Sequence, residues 1–201
     1  MHTRPRPTTL LAGAGLILAV ALGGACSDDE PVAADADDTT TSTEVSTTHD
    51  GHGEPDATVT IAGVDYGFDD VPDSVPAGTK LSFTNTSDVE LHEMVVFRIP
   101  GDVDAPLDEL VQLPPEELEA MLGAPVAVML QPPGAPEPVV AVGDGTLAEP
   151  GRYALMCFIP VGADPDEYMA AVQAAGGGKP GGVAGGPPHF VSGMHAELAV
   201  D

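Results

Sequence analysis

The sequence predicts an all-β fold, an antiparallel β-sandwich with short helical insertions. Short runs with the alternating or apolar pattern of strands recur from residue 57 to the end of the chain. Glycine and proline separate these runs, with 24 Gly and 21 Pro among 201 residues. The helical patterns between them are few and short, which favours a sandwich over a helical or α/β fold.

The strand pattern is clearest in five segments of the chain. In the first of them, ATVTIAGV, β-branched and small residues alternate as in a half-buried strand. In KLSFTN, Leu81 and Phe83 fall on one face, because strand side chains repeat with a period of two. The five predicted strands are 57–64, 80–85, 91–99, 152–159 and 195–200.

Three helices are predicted between the strands. Residues 107–113 place apolar side chains at helical spacing, and 114–123 begin with proline before acidic residues and end with glycine. A third helix is expected to start at Asp164, where Asp-Pro-Asp-Glu matches an N-cap, N1 and capping-box start, and to run to about Ala175. The Gly/Pro-rich stretch 176–188 is expected to be a loop.

The first 26 residues have the features of a signal peptide. Arg4 and Arg6 precede an uncharged run over 10–25, which is shorter than the roughly 20 residues of a membrane span. The small residues directly before Cys26 resemble a bacterial lipoprotein cleavage box, although Gly23 stands where such boxes usually carry Leu. This resemblance implies that Cys26 becomes the lipidated amino terminus.

Cleavage after Ala25 or Ala21 by an ordinary signal peptidase is the alternative to lipidation. That cleavage would release a secreted protein. The two alternatives differ only in the anchor, because both place the chain outside the cytoplasm.

Residues 27–56 are expected to form a disordered acidic, Thr-rich tether. The segment holds ten acidic residues and no Lys or Arg, and it has almost no large apolar side chain with which to offset the entropy of ordering. His49 and His52 lie here in HDGH, and we interpret them as solvated histidines rather than metal ligands. Residues 57–201 therefore form the predicted folded domain.

The charge balance excludes a nucleic-acid partner. The chain carries 6 Lys+Arg and 32 Asp+Glu, a net charge of −26, whereas binding to phosphates needs clustered cations. Without the leader, four cations face 32 acids, a net charge of −28. Such an acid excess is consistent with an extracytoplasmic protein.

Four residues of the predicted domain offer a set of metal ligands. His92 lies near the start of a strand, Cys157 follows RYALM, and His189 and Met194 precede the last strand. A thiolate, two imidazoles and a weak thioether are the ligands of a type 1 copper site. Taken singly, each residue is more often structural, since a lone Cys is commonly a small buried hydrophobe. Their order on a β-sandwich favours copper.

The phrases around these residues resemble the cupredoxins, the blue-copper family. The phrases are VPAGTKLSFTNTS, LHEMVVF, GRYALMCFIP and PHFVSGM. The resemblance implies a Greek-key sandwich with one type 1 copper ion. It further implies His92, Cys157 and His189 as equatorial ligands and Met194 as the axial one. Met156, Glu93 and His195 are neighbouring alternatives, of which we expect Glu93 and His195 to face away from the site.

A long insertion distinguishes this chain from typical cupredoxins. They have only a few residues between the Cys and the second His, whereas here 31 residues, 158–188, separate Cys157 from His189. The predicted insertion, about 161–186, contains the Asp164 helix and the Gly-rich loop but no His or Cys. We expect it to leave and re-enter the domain at one place, which keeps the two ligands together.

These observations predict a membrane-tethered, extracytoplasmic copper protein that passes single electrons to a redox partner that the sequence does not identify. We expect a monomer. No acid–base pair or substrate pocket is readable, so the chain is not predicted to be an enzyme. Two alternatives stay open: a metal-free cupredoxin-like binding or structural lipoprotein, and a protein that captures or delivers copper without redox turnover.

Overall fold

The computed structural model describes residues 57–176 and 178–201. The predicted signal peptide, the lipidation site Cys26 and the predicted tether 27–56 lie outside the described residues. Within the described ranges, no helix is both long enough and apolar enough to cross a membrane.

Two β-sheets form the body of the described chain, one of four strands in the order β2-β1-β4-β8 and one of six in the order β3-β10-β9-β5-β6-β7. Three short α-helices and a 3₁₀ helix, His189–Ser192, join them. The strands are β1 Thr58–Val64, β2 Gly67–Asp69, β3 Ser74–Val75, β4 Thr79–Asn85, β5 His92–Arg98, β6 Ala127–Gln131, β7 Val139–Val142, β8 Thr146–Leu147, β9 Gly151–Met156 and β10 His195–Val200. The helices are α1 Leu107–Leu110, α2 Pro115–Leu122 and α3 Pro165–Ala175.

The predicted all-β sandwich is confirmed, but both of its sheets are mixed rather than purely antiparallel. Strand β1 pairs with β4 in parallel, and β10 pairs with β3 in parallel. The connection explains this: after β2 the chain crosses to the six-stranded sheet, forms β3, and returns to the four-stranded sheet as β4. A connection that leaves the sheet lets β1 and β4 run in the same direction, which a tight hairpin does not.

All five predicted strands and all three predicted helices are present, with ends that differ by a few residues. The Asp164 side chain accepts hydrogen bonds from the backbone N–H groups of Asp166 and Glu167, as expected of an N-cap. The sequence analysis missed β2, β3, β6, β7 and β8. Strands β2, β3 and β8 have only two or three residues, too few to show an alternating pattern. Strand β6 pairs with β5, which is distant in sequence, and β7 extends the sheet beyond β6.

The core lies between the sheets, and a second apolar layer covers the outer face of the six-stranded sheet. Ile61 and Phe83 from the four-stranded sheet pack with Met94 and Leu155 from the other. On the outer face, Val95 and Phe97 pack against apolar side chains of α1 and α2. Both faces of β5 are therefore buried, which explains why its sequence is almost continuously apolar.

Candidate metal centre

Three of the four predicted ligands meet at one end of the sandwich. His92 opens β5, Cys157 directly follows β9, and His189 opens the 3₁₀ helix. The Nδ1 atoms of His92 and His189 lie 3.1 Å apart, and the Sγ of Cys157 lies 3.4 Å from Nδ1 of His189. The three donor atoms all fall within 4.8 Å of one another. All three side chains are fully buried.

Backbone hydrogen bonds hold the Cys157 and His189 segments against each other. The N–H of His189 donates to the carbonyl oxygen of Ile159 at 2.9 Å, and the N–H of Phe190 donates to that of Cys157 at 2.9 Å. The N–H of Cys157 in turn donates to the carbonyl oxygen of Met194 at 3.2 Å. These bonds fix the segments although 31 residues separate them in sequence.

Residues on either side of the predicted insertion, 161–186, lie next to each other. Pro160 and Pro188 form an antiparallel bridge. Beyond it, the N–H of Val161 donates to the carbonyl oxygen of Pro187 at 3.0 Å, and the N–H of Gly186 donates to that of Val161 at 2.9 Å. The loop therefore closes at its base, and its length does not separate Cys157 from His189.

The donor atoms fit a small transition-metal ion. Metal–nitrogen bonds of about 2.0 Å and metal–thiolate bonds of about 2.3 Å place donors around one ion roughly 3–3.7 Å apart. The observed nitrogen–nitrogen and sulfur–nitrogen distances, 3.1 and 3.4 Å, fall in that range. A thiolate with two imidazoles suits copper, zinc or iron by ligand type, and the trigonal His₂Cys set is that of blue copper sites.

Burial also sets the protonation of these groups. Desolvation, reinforced by neighbouring His189, lowers the pKa of His92 to about 4, and desolvation lowers that of His189. Both imidazoles are therefore neutral at pH 7, with lone pairs available for a metal ion. Burial raises the pKa of the Cys157 thiol well above its ordinary value. A metal ion bound here must displace that proton, because the ligand form of cysteine is the thiolate.

Met194 lies in the same buried cluster as Cys157. It is fully buried and packs in an apolar group with Leu91, Cys157 and Ile159. Its Cε lies beside Gly63, where an added Cβ would come within 3.3 Å of that methyl group. Its backbone carbonyl oxygen accepts the hydrogen bond from the N–H of Cys157.

The remaining nitrogens of the two histidines reveal a contact that the sequence analysis missed. Within the described part of the chain, Nε2 of neither His92 nor His189 has a hydrogen-bond partner. The carboxylate of Glu90, however, lies 3.7 Å from Nε2 of His189. The other oxygen of Glu90 accepts a hydrogen bond from the Tyr66 hydroxyl at 3.1 Å, and the Tyr66 ring stands edge-on to His189.

Tyr66 and Glu90 thus cover the outer edge of His189. Tyr66 occupies the left-handed region, with φ 59°, at the turn between β1 and β2. Such a conformation is costly for a bulky residue and often occurs at functional sites. The sequence gives little indication of these two contacts to His189. Glu90 stands two residues before His92, and nothing in the sequence relates Tyr66 to His189.

The three neighbouring alternatives have other environments. Met156 packs in the outer apolar layer. His195 is held by its own contacts, with Nδ1 3.0 Å from the carbonyl oxygen of Phe190 and Nε2 3.3 Å from Asp108. Glu93 lies on the outer face of β5, opposite His92, as expected, but it is buried there. Its Oε1 accepts a hydrogen bond from the Phe158 N–H at 3.0 Å.

No protein-family model and no curated protein match this chain. Among solved structures, it is similar to the reduced auracyanin of Roseiflexus castenholzii, with 24% identity, a TM-score of 0.39, and coverage of 72% of this chain and 96% of that one. It is also similar to auracyanin A of Chloroflexus aurantiacus, a "blue" copper protein, with 19% identity, a TM-score of 0.39, and coverage of 72% and 98%. A third is reduced rusticyanin, with 16% identity, a TM-score of 0.37, and coverage of 76% and 89%.

Proposed function

We propose that this chain is a membrane-tethered, extracytoplasmic copper protein that transfers single electrons through one type 1 copper ion. The observation that carries the proposal is the convergence of His92, Cys157 and His189, with two Nδ1 atoms and one Sγ within 4.8 Å of one another in a fully buried position. The two sheets and the backbone bonds between the ligand segments make this donor set rigid.

In this proposal His92, Cys157 and His189 would hold the ion, and Met194 would be a fourth, weak ligand. A copper ion held there would supply one-electron chemistry through its Cu(I) and Cu(II) states. The chain's own contribution is to fix the donors, because His189 and Cys157 are held by the backbone bonds of their segments. Apolar neighbours such as Ile159 exclude water from the site. Fixed donors limit the rearrangement that accompanies electron transfer.

The location rests on the amino-terminal sequence. We propose that Cys26 carries the lipid anchor and that residues 27–56 form the tether of a monomeric domain facing the extracytoplasmic side. The redox partner is a protein that the sequence does not identify, and nucleic acid is not a partner. Cleavage without lipidation would leave the same domain secreted.

Copper capture or delivery without redox turnover is the competing function. An ion that is passed on requires donors that an acceptor can reach. Here His92, Cys157 and His189 have no exposed surface, and Tyr66 and Glu90 cover His189. This burial favours an ion that stays bound while electrons move. A metal-free binding lipoprotein would instead have no use for three converging donors.

A visible spectrum recorded during Cu(II) titration of the purified protein tests the proposal. We expect an intense band from thiolate-to-copper charge transfer that saturates at one copper per chain. Cys157→Ser should lose the band completely, whereas Met194→Leu should keep copper and colour but show a higher reduction potential, since loss of a weak donor disfavours Cu(II). Wild-type protein that stays colourless and binds no copper would favour the metal-free alternative.

Reversible cycling separates electron transfer from copper capture. We expect repeated chemical reduction and reoxidation to remove and restore the band without loss of copper. Release of copper on each reduction would identify a capture or delivery protein instead.

A further inference from the structure

A cavity of about 580 Å³ lies on the outer face of the six-stranded sheet, beneath the insertion. Its size is typical of sites that bind small organic molecules. One wall comes from β5 and β6, and the facing wall comes from Phe158 and the insertion. Apolar side chains dominate this lining, including Val95, Phe97, Leu130, Phe158, Tyr168 and Val172.

One buried carboxyl group faces this apolar space. Glu93 is only 5% exposed and lines the cavity. Its Oε1 accepts the Phe158 N–H at 3.0 Å, but its Oε2 lies 3.5 Å from the Tyr168 hydroxyl, at the limit of hydrogen-bond distance. Because each carboxylate oxygen accepts two hydrogen bonds, Glu93 retains capacity for a donor inside the cavity.

The other charges of the cavity wall neutralise each other. Lys179 Nζ pairs with Glu119 Oε1 at 2.5 Å and lies 5.9 Å from the centroid of the Phe158 ring. Because Lys179 is paired with Glu119, the wall offers no free cation to an anionic occupant, and burying a charged amine among these apolar side chains is costly. The ring centroids of Phe97 and Phe158 lie 5.9 Å apart, with an angle of 69° between the ring planes. The two rings offer edges and faces against which a further ring can pack.

We propose that this cavity binds a neutral molecule of one or two aromatic rings that carries a hydroxyl group, of the phenol class. The rings pack against Phe97 and Phe158, and the hydroxyl group donates a hydrogen bond to Glu93. The site gives the insertion a role, because Tyr168 and Val172 form its outer wall although residues 161–186 supply no His or Cys. The binding does not depend on copper.

A comparison of 1-naphthol with naphthalene tests the proposal, because the two differ only in the hydroxyl group. The chain has no Trp, so excitation above the absorption of tyrosine reports the ligand itself. In detergent-free buffer at pH 8, where the Glu93 carboxyl group is ionised, we expect metal-free wild-type protein to bind 1-naphthol saturably and roughly 10-fold or more tightly than naphthalene, as one hydrogen bond to a buried charged group allows.

Two variants separate the hydrogen bond from the apolar cavity. Glu93→Leu removes the acceptor, and we expect it to abolish the preference for 1-naphthol while naphthalene still binds. Val172→Phe fills the cavity and should weaken both ligands alike. Val89→Phe, at a position that is 76% exposed and outside the cavity, is the matched control and should leave both affinities unchanged.

Three results would overturn the proposal. They are equal affinities of the two ligands for wild-type protein, a preference that survives in folded Glu93→Leu, and binding that Val172→Phe does not weaken. Val172→Phe leaves Glu93 intact, so it tests the location of binding even where Glu93→Leu does not fold. None of these readouts uses copper, so a failed cavity proposal is distinguishable from a failed copper site.

Discussion

At the scale of single residues, Tyr66 and Glu90 lie against His189 and add to the three residues of the cluster. A metal-bound histidine usually donates its second ring N–H to a fixed acceptor, which orients the ring and raises its basicity. Here Glu90 is the nearest candidate, 3.7 Å from Nε2, and the Tyr66 hydroxyl holds its other oxygen. A shift of less than an ångström would complete the hydrogen bond.

Glu90→Gln should therefore weaken Cu(II) binding by about 10-fold and raise the reduction potential, since it removes a negative charge that favours the higher oxidation state. Competition against a chelator and potentiometric titration give the two quantities. Asp88→Asn, an exposed carboxylate on the same loop, is the matched control. If both variants shift the potential equally, general surface charge is responsible and Glu90 has no specific role.

The buried carboxyl of Glu93 predicts a pH-dependent stability. Burial raises its pKa from 4.5 to about 7, because desolvation outweighs the hydrogen bonds that it accepts from Phe158 and Tyr168. The folded state thus holds this proton more tightly than the unfolded state. The stability that this tighter proton binding gives the folded state is present below pH 4.5 and is lost as the pH rises through 7. The pKa difference between the folded and unfolded states corresponds to about 3 kcal/mol of folding free energy.

Glu93→Gln removes this titration. In metal-free protein, we expect the free energy of unfolding of Glu93→Gln, relative to wild type, to increase by about 3 kcal/mol between pH 4.5 and pH 8. Urea denaturation at several pH values measures the free energy of unfolding of both proteins. Subtracting the wild-type value at each pH removes the contributions of the other acidic residues, which the two proteins share. A difference that is constant with pH would contradict the raised pKa of Glu93.

His92 titrates with the opposite sign. Its pKa falls from 6.5 to about 4 in the folded state, so stability is lost as the pH falls from 6.5 toward 4. In wild-type protein, Glu93 and His92 therefore change the stability in opposite directions as the pH rises from 4.5 to 6.5. In Glu93→Gln the contribution of Glu93 is absent, and that of His92 remains together with that of His189, whose pKa burial also lowers.

At the scale of elements, the insertion is the part of the chain with the clearest separate role. Its base is closed by the Pro160–Pro188 bridge, and α3 begins with a capped Asp164. Ala163 and Tyr168 nevertheless pack against the apolar group that contains Cys157. The insertion therefore helps to bury the cluster of His92, Cys157 and His189 without adding a residue to it.

Replacing residues 161–186 by a short Gly-containing turn should preserve the fold and copper binding. Stability should fall, because Tyr168 no longer buries Glu93 and the Cys157 cluster. The visible spectrum, copper stoichiometry and thermal unfolding measure these outcomes, with full-length protein as the reference. A variant that folds but binds no copper would show that the insertion builds the site, and the assignment of His189 would then have to be abandoned.

At the scale of the whole molecule, the proposed lipid anchor at Cys26 would decide where the domain is held. The predicted mature chain has a net charge of −28. Cys26→Ser should abolish incorporation of labelled lipid and release the protein from the membrane fraction. Radiolabelled fatty acid and fractionation give the two readouts, and Cys157→Ser is the control because it removes the other cysteine. Retention of both lipid and membrane binding in Cys26→Ser would exclude lipidation at Cys26.

The sequence by itself determined the fold class, the main strands and helices, and the identities of the residues that form the donor cluster. It could do so because period-two patterns, turn residues and caps are local, and because His, Cys and Met carry their chemistry in their side chains. Only the tertiary structure decided the parallel pairing of β1 with β4, the short strands β2, β3, β6, β7 and β8, and the closure of the insertion at Pro160 and Pro188.

The tertiary structure also decided what surrounds the site. Tyr66 and Glu90 meet His189, and Glu93 lies under the insertion, through contacts that join residues 24 to 123 positions apart. Such contacts leave no periodic trace in the sequence, because they arise only when sheets and loops pack together. The three residues of the cluster were therefore readable from the chain, whereas the groups that surround them were not.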